Sequence, residues 1–124
     1  MSARPFAIAL ALNHVSYGAR MVLQPEEAGK IWVGKRAAKR AQTQLFARAL
    51  GARDVALGLG ALRALQKRDA AASRAWMAAN ALADGTDMVA TLIAKDDLPR
   101  GAFAFALSVA GVSTAIGAWS AASL

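Results

Sequence analysis

Four charged residues stand inside otherwise apolar stretches of this chain: Arg53, Asp54, Asp84 and Asp87. A guanidinium can serve two carboxylates at once through its planar fork. Such a set can therefore form a structural ion-pair network, a ligand or ion site, or a proton relay. The single His14 adds a possible polar partner. One histidine in a helix is more often a hydrogen-bonded interior residue than the ligand of a heme or quinone head. No Ser-His-Asp set, phosphate-binding glycine loop, dinucleotide turn or metal-ligand spacing is present, and cysteine is absent. The expectation is a non-enzymatic protein with no catalytic residues, no metal and no cofactor.

The elements that must position these residues are apolar and poor in charge. Residues 101–124 carry no charge at all. An uncharged apolar run of more than about 18 residues is a candidate membrane crossing. Pro99 precedes it, where proline suits a helix start. A first segment runs over residues 5–23 and is stopped by Pro25. Apolar character persists past His14 with no clean cleavage pattern, so it reads as a retained helix. Two weaker segments lie between, at residues 36–65 and 73–94. The expected fold is all-α: one transmembrane domain over residues 1–124, a four-helix bundle with helices at 5–23, 36–65, 73–94 and 100–122. Short loops join them. An amphipathic interfacial stretch containing Trp32 follows the first helix.

Geometry brings the charges together. With a turn at residues 66–71, the second and third helices run antiparallel. Arg53 lies 13 residues before that turn and Asp84 lies 13 after it. At about 1.5 Å per residue both sit roughly 20 Å from the turn. Asp87 is one turn from Asp84, so Arg53 can meet either or both. Asp54 points about 100° away from Arg53 and is free to serve another helix. An unpaired charge at mid-bilayer costs about 2.5–3.5 kcal/mol on insertion scales, which favours pairing in the interior. Small residues at Ala52, Ala56 and Gly60, and at Ala79 and Ala83, are spaced for close helix contact. Asn80 and Thr86 are expected to bond across helices. Trp76 and Trp119 should share one end, with Trp32 at the other.

Composition fits this setting. Hydrophobic residues make up 56% of the chain, and alanine dominates over large side chains. Alanine buries little apolar area in a soluble core, but it lets helices approach closely in lipid. The net charge is +7. The basic residues cluster between apolar segments, as in Lys30, Lys35, Arg36, Lys39 and Arg40, and they read as membrane-flanking charge rather than nucleic-acid contacts. Their excess on the side of the first and third loops places that side in the cytoplasm.

The stretches RALGARDVALGLGALRAL, AWMAANALADGTDMVATLIA and DDLPRG resemble a family of small bacterial four-helix membrane proteins with a domain of unknown function. The resemblance spans about Leu23 to Trp119. Its most specific parts are Gly51-Ala52-Arg53-Asp54 with Leu57-Gly58, and Ala83-Asp84 with Asp87. The first helix departs from the pattern at His14 and Tyr17. The resemblance implies a multi-pass protein of the bacterial plasma membrane and no particular activity.

Two functional expectations follow. The first is an accessory or stabilising subunit of a larger membrane complex, docking through the small residues of the last helix (Ala110, Gly111, Ser113, Gly117). Its partners would be the lipid bilayer and other membrane subunits, or further copies of itself, with no nucleic acid. The alternative is a small transporter or lipophilic-ligand-binding bundle that uses the Arg/Asp cluster.

Overall fold

The computed structural model describes residues 1–124, which form six helices and no strand. They are α1 (Arg4–Leu23), α2 (Pro25–Val33), α3 (Lys35–Ala38), α4 (Ala41–Gln66), α5 (Ala70–Ile93) and α6 (Arg100–Ser123). Two of them, α1 and α6, are long and apolar enough to cross a membrane by length and composition.

The helix ends follow local chemistry. Pro5 and Pro25 stand in the first turns of α1 and α2, where a missing N–H costs nothing. Gly34 separates α2 from α3 with φ of 87°, a conformation that side chains disfavour. A side chain there would also strike Pro99, whose Cγ would lie 2.7 Å from an added Cβ. Asp69 caps α5 by accepting a hydrogen bond from the Ala72 N–H at 2.9 Å. Asp69→Ala is expected to cost about 1 kcal/mol, read as a lowered melting temperature. An unchanged melt would show that the cap contributes nothing.

Two expected boundaries shift. The second long helix does not begin at residue 36. The chain makes the single turn α3, breaks at Lys39 and Arg40, and restarts at Ala41. The KRAAKR stretch has no apolar face that would hold it in one continuous helix. The turn before α5 is shorter than residues 66–71, because Asp69 starts the helix at Ala70. The stretch after α1 is the helix α2. Its half-buried Lys30 pairs with Glu26 and Glu27, and the Lys30 hydrogen bond holds the Glu27 carboxyl below its usual range.

The long helices pack antiparallel, most closely as α1 with α4 and as α5 with α6. Glycine decides the first contact. A Cβ built on Gly18 would lie 2.6 Å from the Gly51 carbonyl oxygen, and one on Gly58 would lie 2.6 Å from that of Ala11. The stripe that packs is therefore Gly51, Asp54, Gly58 and Ala61. Of the expected stripe, Ala52 and Ala56 face outward. Gly60 instead makes room for the Trp76 ring of α5. On the α5–α6 seam, Gly117 lies against Ala81.

Burial is inverted relative to an ordinary soluble core. The buried set is mostly alanine, glycine and polar residues, with Asn80 and Ser120 fully enclosed. Large apolar side chains face outward on every long helix, including Leu12, Leu59, Leu82, Ile93 and Val112. Trp119 meets Phe6 at one end of the molecule, and Trp32 meets Phe105 at the other.

Candidate functional site

The charged residues sit near the middle of their helices. Asp54 lies 13 residues from the start of α4, and His14 lies ten from the start of α1. Since α1 and α4 touch through glycine, Asp54 and His14 are held close to the seam between them.

Arg53 gathers two carboxylates. Its Nε and Nη2 donate to Asp54 Oδ1 at 2.9 and 2.8 Å. Its Nη1 and Nη2 donate to the two Asp87 oxygens at 3.0 and 2.7 Å. This fork-on-carboxylate geometry is the strong form of an ion pair. Asp54 does not turn to another helix for its partner, because the long Arg53 side chain folds back to reach it. Asp84 is not shared by Arg53. It faces α1, where His14 Nε2 donates to Asp84 Oδ1 at 3.0 Å. Two residues three apart on one helix differ by about 60° in direction, so Asp84 and Asp87 serve different neighbours.

All five residues line one cavity of about 360 Å³. It extends from this cluster toward the end of the molecule covered by α2 and Leu98. Its walls are largely apolar, with Met21, Leu50 and Val109 among them. Phe46 and Leu50 line the cavity and are also exposed on the outer surface, at 65% and 38%. The lining of the cavity thus reaches outward-facing apolar side chains.

Two enclosed side-chain atoms of residues that line the cavity lack hydrogen-bond partners: His14 Nδ1 and Asp84 Oδ2. An enclosed polar atom left unpaired costs free energy. Asn80, one turn before Asp84, also keeps its Oδ1 unpaired. Its Nδ2 donates to the Trp76 carbonyl, and Thr86 donates to the Leu82 carbonyl. Both bonds stay within α5 rather than crossing helices, because the carbonyl four residues back lies within easy reach of a short side chain.

Sequence reasoning did not place Tyr17 and Trp32 at this site. Tyr17 donates to the Ala28 carbonyl at 2.6 Å, which ties α2 over the cavity. Its ring lies 6.4 Å from that of Trp32. The available signal was spacing: Leu10, His14, Gly18 and Met21 mark the inward face of α1, and Tyr17 lies beside it.

The profile of a protein family described as "Domain of unknown function (DUF4267)" matches residues 11–120. No curated protein and no solved structure matches the chain.

Proposed function

This chain belongs to the DUF4267 family, and from its central cavity we propose that it is a multi-pass membrane protein that binds a lipophilic molecule with a polar head. The observation that carries this is the cavity of about 360 Å³, with charged residues grouped at one part of its lining, largely apolar walls, and a lining that includes the outward-exposed Phe46 and Leu50. A ligand site of this kind combines apolar burial with a few fixed polar groups. The polar head would meet His14, Arg53, Asp54, Asp84 and Asp87, and the apolar body would lie along the walls. Entry would be from the lipid.

The membrane placement draws on the inverted burial. Large apolar side chains outside and small or polar ones inside suit lipid as solvent. In this reading all four long helices cross. Arg53, Asp54, Asp84 and Asp87 of α4 and α5 face the cavity, as intramembrane ionisable groups tend to. The outward Arg48 lies seven residues from the start of α4, close enough to snorkel.

The accessory-subunit reading draws less support. Ala110, Ser113 and Gly117, which suited docking, are buried within the chain.

The test is native mass spectrometry of protein extracted in mild detergent, paired with a native gel. A small molecule retained by the parent and lost on Leu50→Trp, which fills the cavity, supports the reading. A ligand-free chain running within a large complex overturns it in favour of the accessory role. Release by alkaline carbonate washing would overturn the membrane placement.

A further inference from the structure

We propose that a second cavity, at the opposite end of the molecule from α2, binds a phosphate group between Arg4 and Arg68. It lies apart from the central cavity and does not depend on the ligand read there.

The antiparallel packing gathers positive charge at this end. The start of α1, the turn between α4 and α5 and the end of α6 all meet here. Arg4, Arg63, Lys67, Arg68 and Arg74 fall in these segments, against one acidic side chain, Asp69. Asp69 is already engaged as the cap of α5. A cavity of about 370 Å³ lies among them, lined by Arg4, Arg68, Ala70, Ser73 and Leu124.

Unlike Arg53, neither Arg4 nor Arg68 has a carboxylate partner, whether Asp69, the Leu124 terminus or any other. Arg4 is held in place, because its Nη2 donates to the Leu65 carbonyl at 2.7 Å. Its other N–H groups remain for a ligand. A guanidinium fork matches two phosphate oxygens at once. Arg68 adopts a left-handed backbone, with φ of 56°, where glycine sits without strain. A strained side chain beside a cavity is a common feature of ligand sites.

Ser73 turns this charge into a built site. It lines the cavity yet is only 3% exposed. Thr86, Thr91, Ser108 and Thr114 all spend their hydroxyls on the carbonyl four residues back. The Ser73 hydroxyl makes no such bond. Nor is it among the enclosed unpaired atoms, which belong to His14, Asn80, Asp84 and Ser120. It is therefore reachable from the cavity that Ser73 lines. Ala70, one turn before Ser73 on the same face, brings the first N–H of α5, which has no acceptor within the helix. The positive end of the helix dipole adds to it. These donors converge from α1, the turn and α5. A flat carboxylate offers too few oxygens to meet them all, whereas a tetrahedral phosphate meets each. The source is a lipid headgroup, since this end meets the bilayer surface in the membrane reading, or free phosphate.

The test uses the full chain in nanodiscs of phosphatidylcholine, with and without phosphatidylglycerol. Native mass spectrometry counts the phosphatidylglycerol retained after the disc is stripped. Melting in pure phosphatidylcholine discs, with inorganic phosphate against chloride at matched ionic strength, reads free phosphate. Arg68→Gly removes the guanidinium and relieves the left-handed backbone, so it is expected to melt no lower than the parent in phosphatidylcholine and chloride. It is expected to hold the anion at least about tenfold more weakly, the worth of one charge-assisted contact. Ser73→Ala should weaken binding in the same direction. Phosphatidylglycerol retained by the parent and lost on Arg68→Gly, with no response to inorganic phosphate, assigns the site to a lipid headgroup. A melting shift with inorganic phosphate that Arg68→Gly abolishes assigns it to free phosphate. No retention and no shift overturns the proposal, as does binding that is equal in the parent and Arg68→Gly. If Arg68→Gly does not fold, Arg68→Gln takes its place and the same outcomes decide.

Discussion

Gly51→Val is expected to separate α1 from α4 and to cost about 3 kcal/mol or more, at the upper end for overpacking. A Cβ on Gly51 would lie 2.5 Å from the Gly18 carbonyl oxygen and 2.7 Å from Met21 Cβ. Neither is the free end of a flexible side chain, so the helices themselves must move. Two methyl groups beyond that Cβ add to the clash. The displacement would also carry Asp54 away from the α1 seam and open the cavity floor. Gly101→Val is the matched control, because nothing lies within 4 Å of a Cβ there. That change is expected to stay within about 0.5 kcal/mol. Thermal melting followed by circular dichroism in lipid nanodiscs compares the two. Equal melting of Gly51→Val and Gly101→Val would show that α1 and α4 do not meet backbone to backbone.

Arg53→Ala carries the second largest expected effect, a loss of about 3 kcal/mol, at the lower end for breaking a buried ion pair. The low end applies because the Arg53 side chain is 30% exposed. Most of the loss comes from the two carboxylates left behind. Neutralising them should therefore restore stability: Arg53→Ala with Asp54→Asn and Asp87→Asn is expected to recover more than half of it. Arg53→Lys should fall between parent and Arg53→Ala, since an ammonium is a point charge and cannot fork onto Asp54 and Asp87 together. An Arg53→Ala protein that melts like the parent would remove the ion-pair network from the account of stability. A triple variant no more stable than Arg53→Ala would show that the guanidinium acts through packing instead.

Much of this arrangement was legible in the sequence, for reasons that are local. The uncharged run after Pro99 can only be a long apolar helix, and α6 is that helix. Pro5, Pro25 and Asp69 mark helix starts through chemistry confined to one turn. The approach of Arg53 to Asp87 follows from a short turn and a fixed rise per residue. Desolvation then requires charges so placed to find one another.

Direction around a helix axis was less legible, because it depends on which neighbour lies where. Ala52, Ala56 and Gly60 had the spacing of a contact stripe, yet Gly51 and Gly58 make the contact with α1. In a chain this rich in alanine and glycine, several stripes satisfy the same spacing. Only the mutual fit of Gly18 against Gly51, and of Ala11 against Gly58, selects one. The same choice turns Asp84 toward His14 and leaves Asp87 for Arg53. It also brings Tyr17 and Trp32, 15 residues apart in sequence, to one cavity wall. The sequence by itself determined an all-helical chain with charges inside apolar helices and the demand that they pair. The tertiary structure decided which carboxylate meets which partner and left two enclosed polar atoms, His14 Nδ1 and Asp84 Oδ2, unpartnered, because helix-to-helix contact through glycine sets the rotation of the inward side chains.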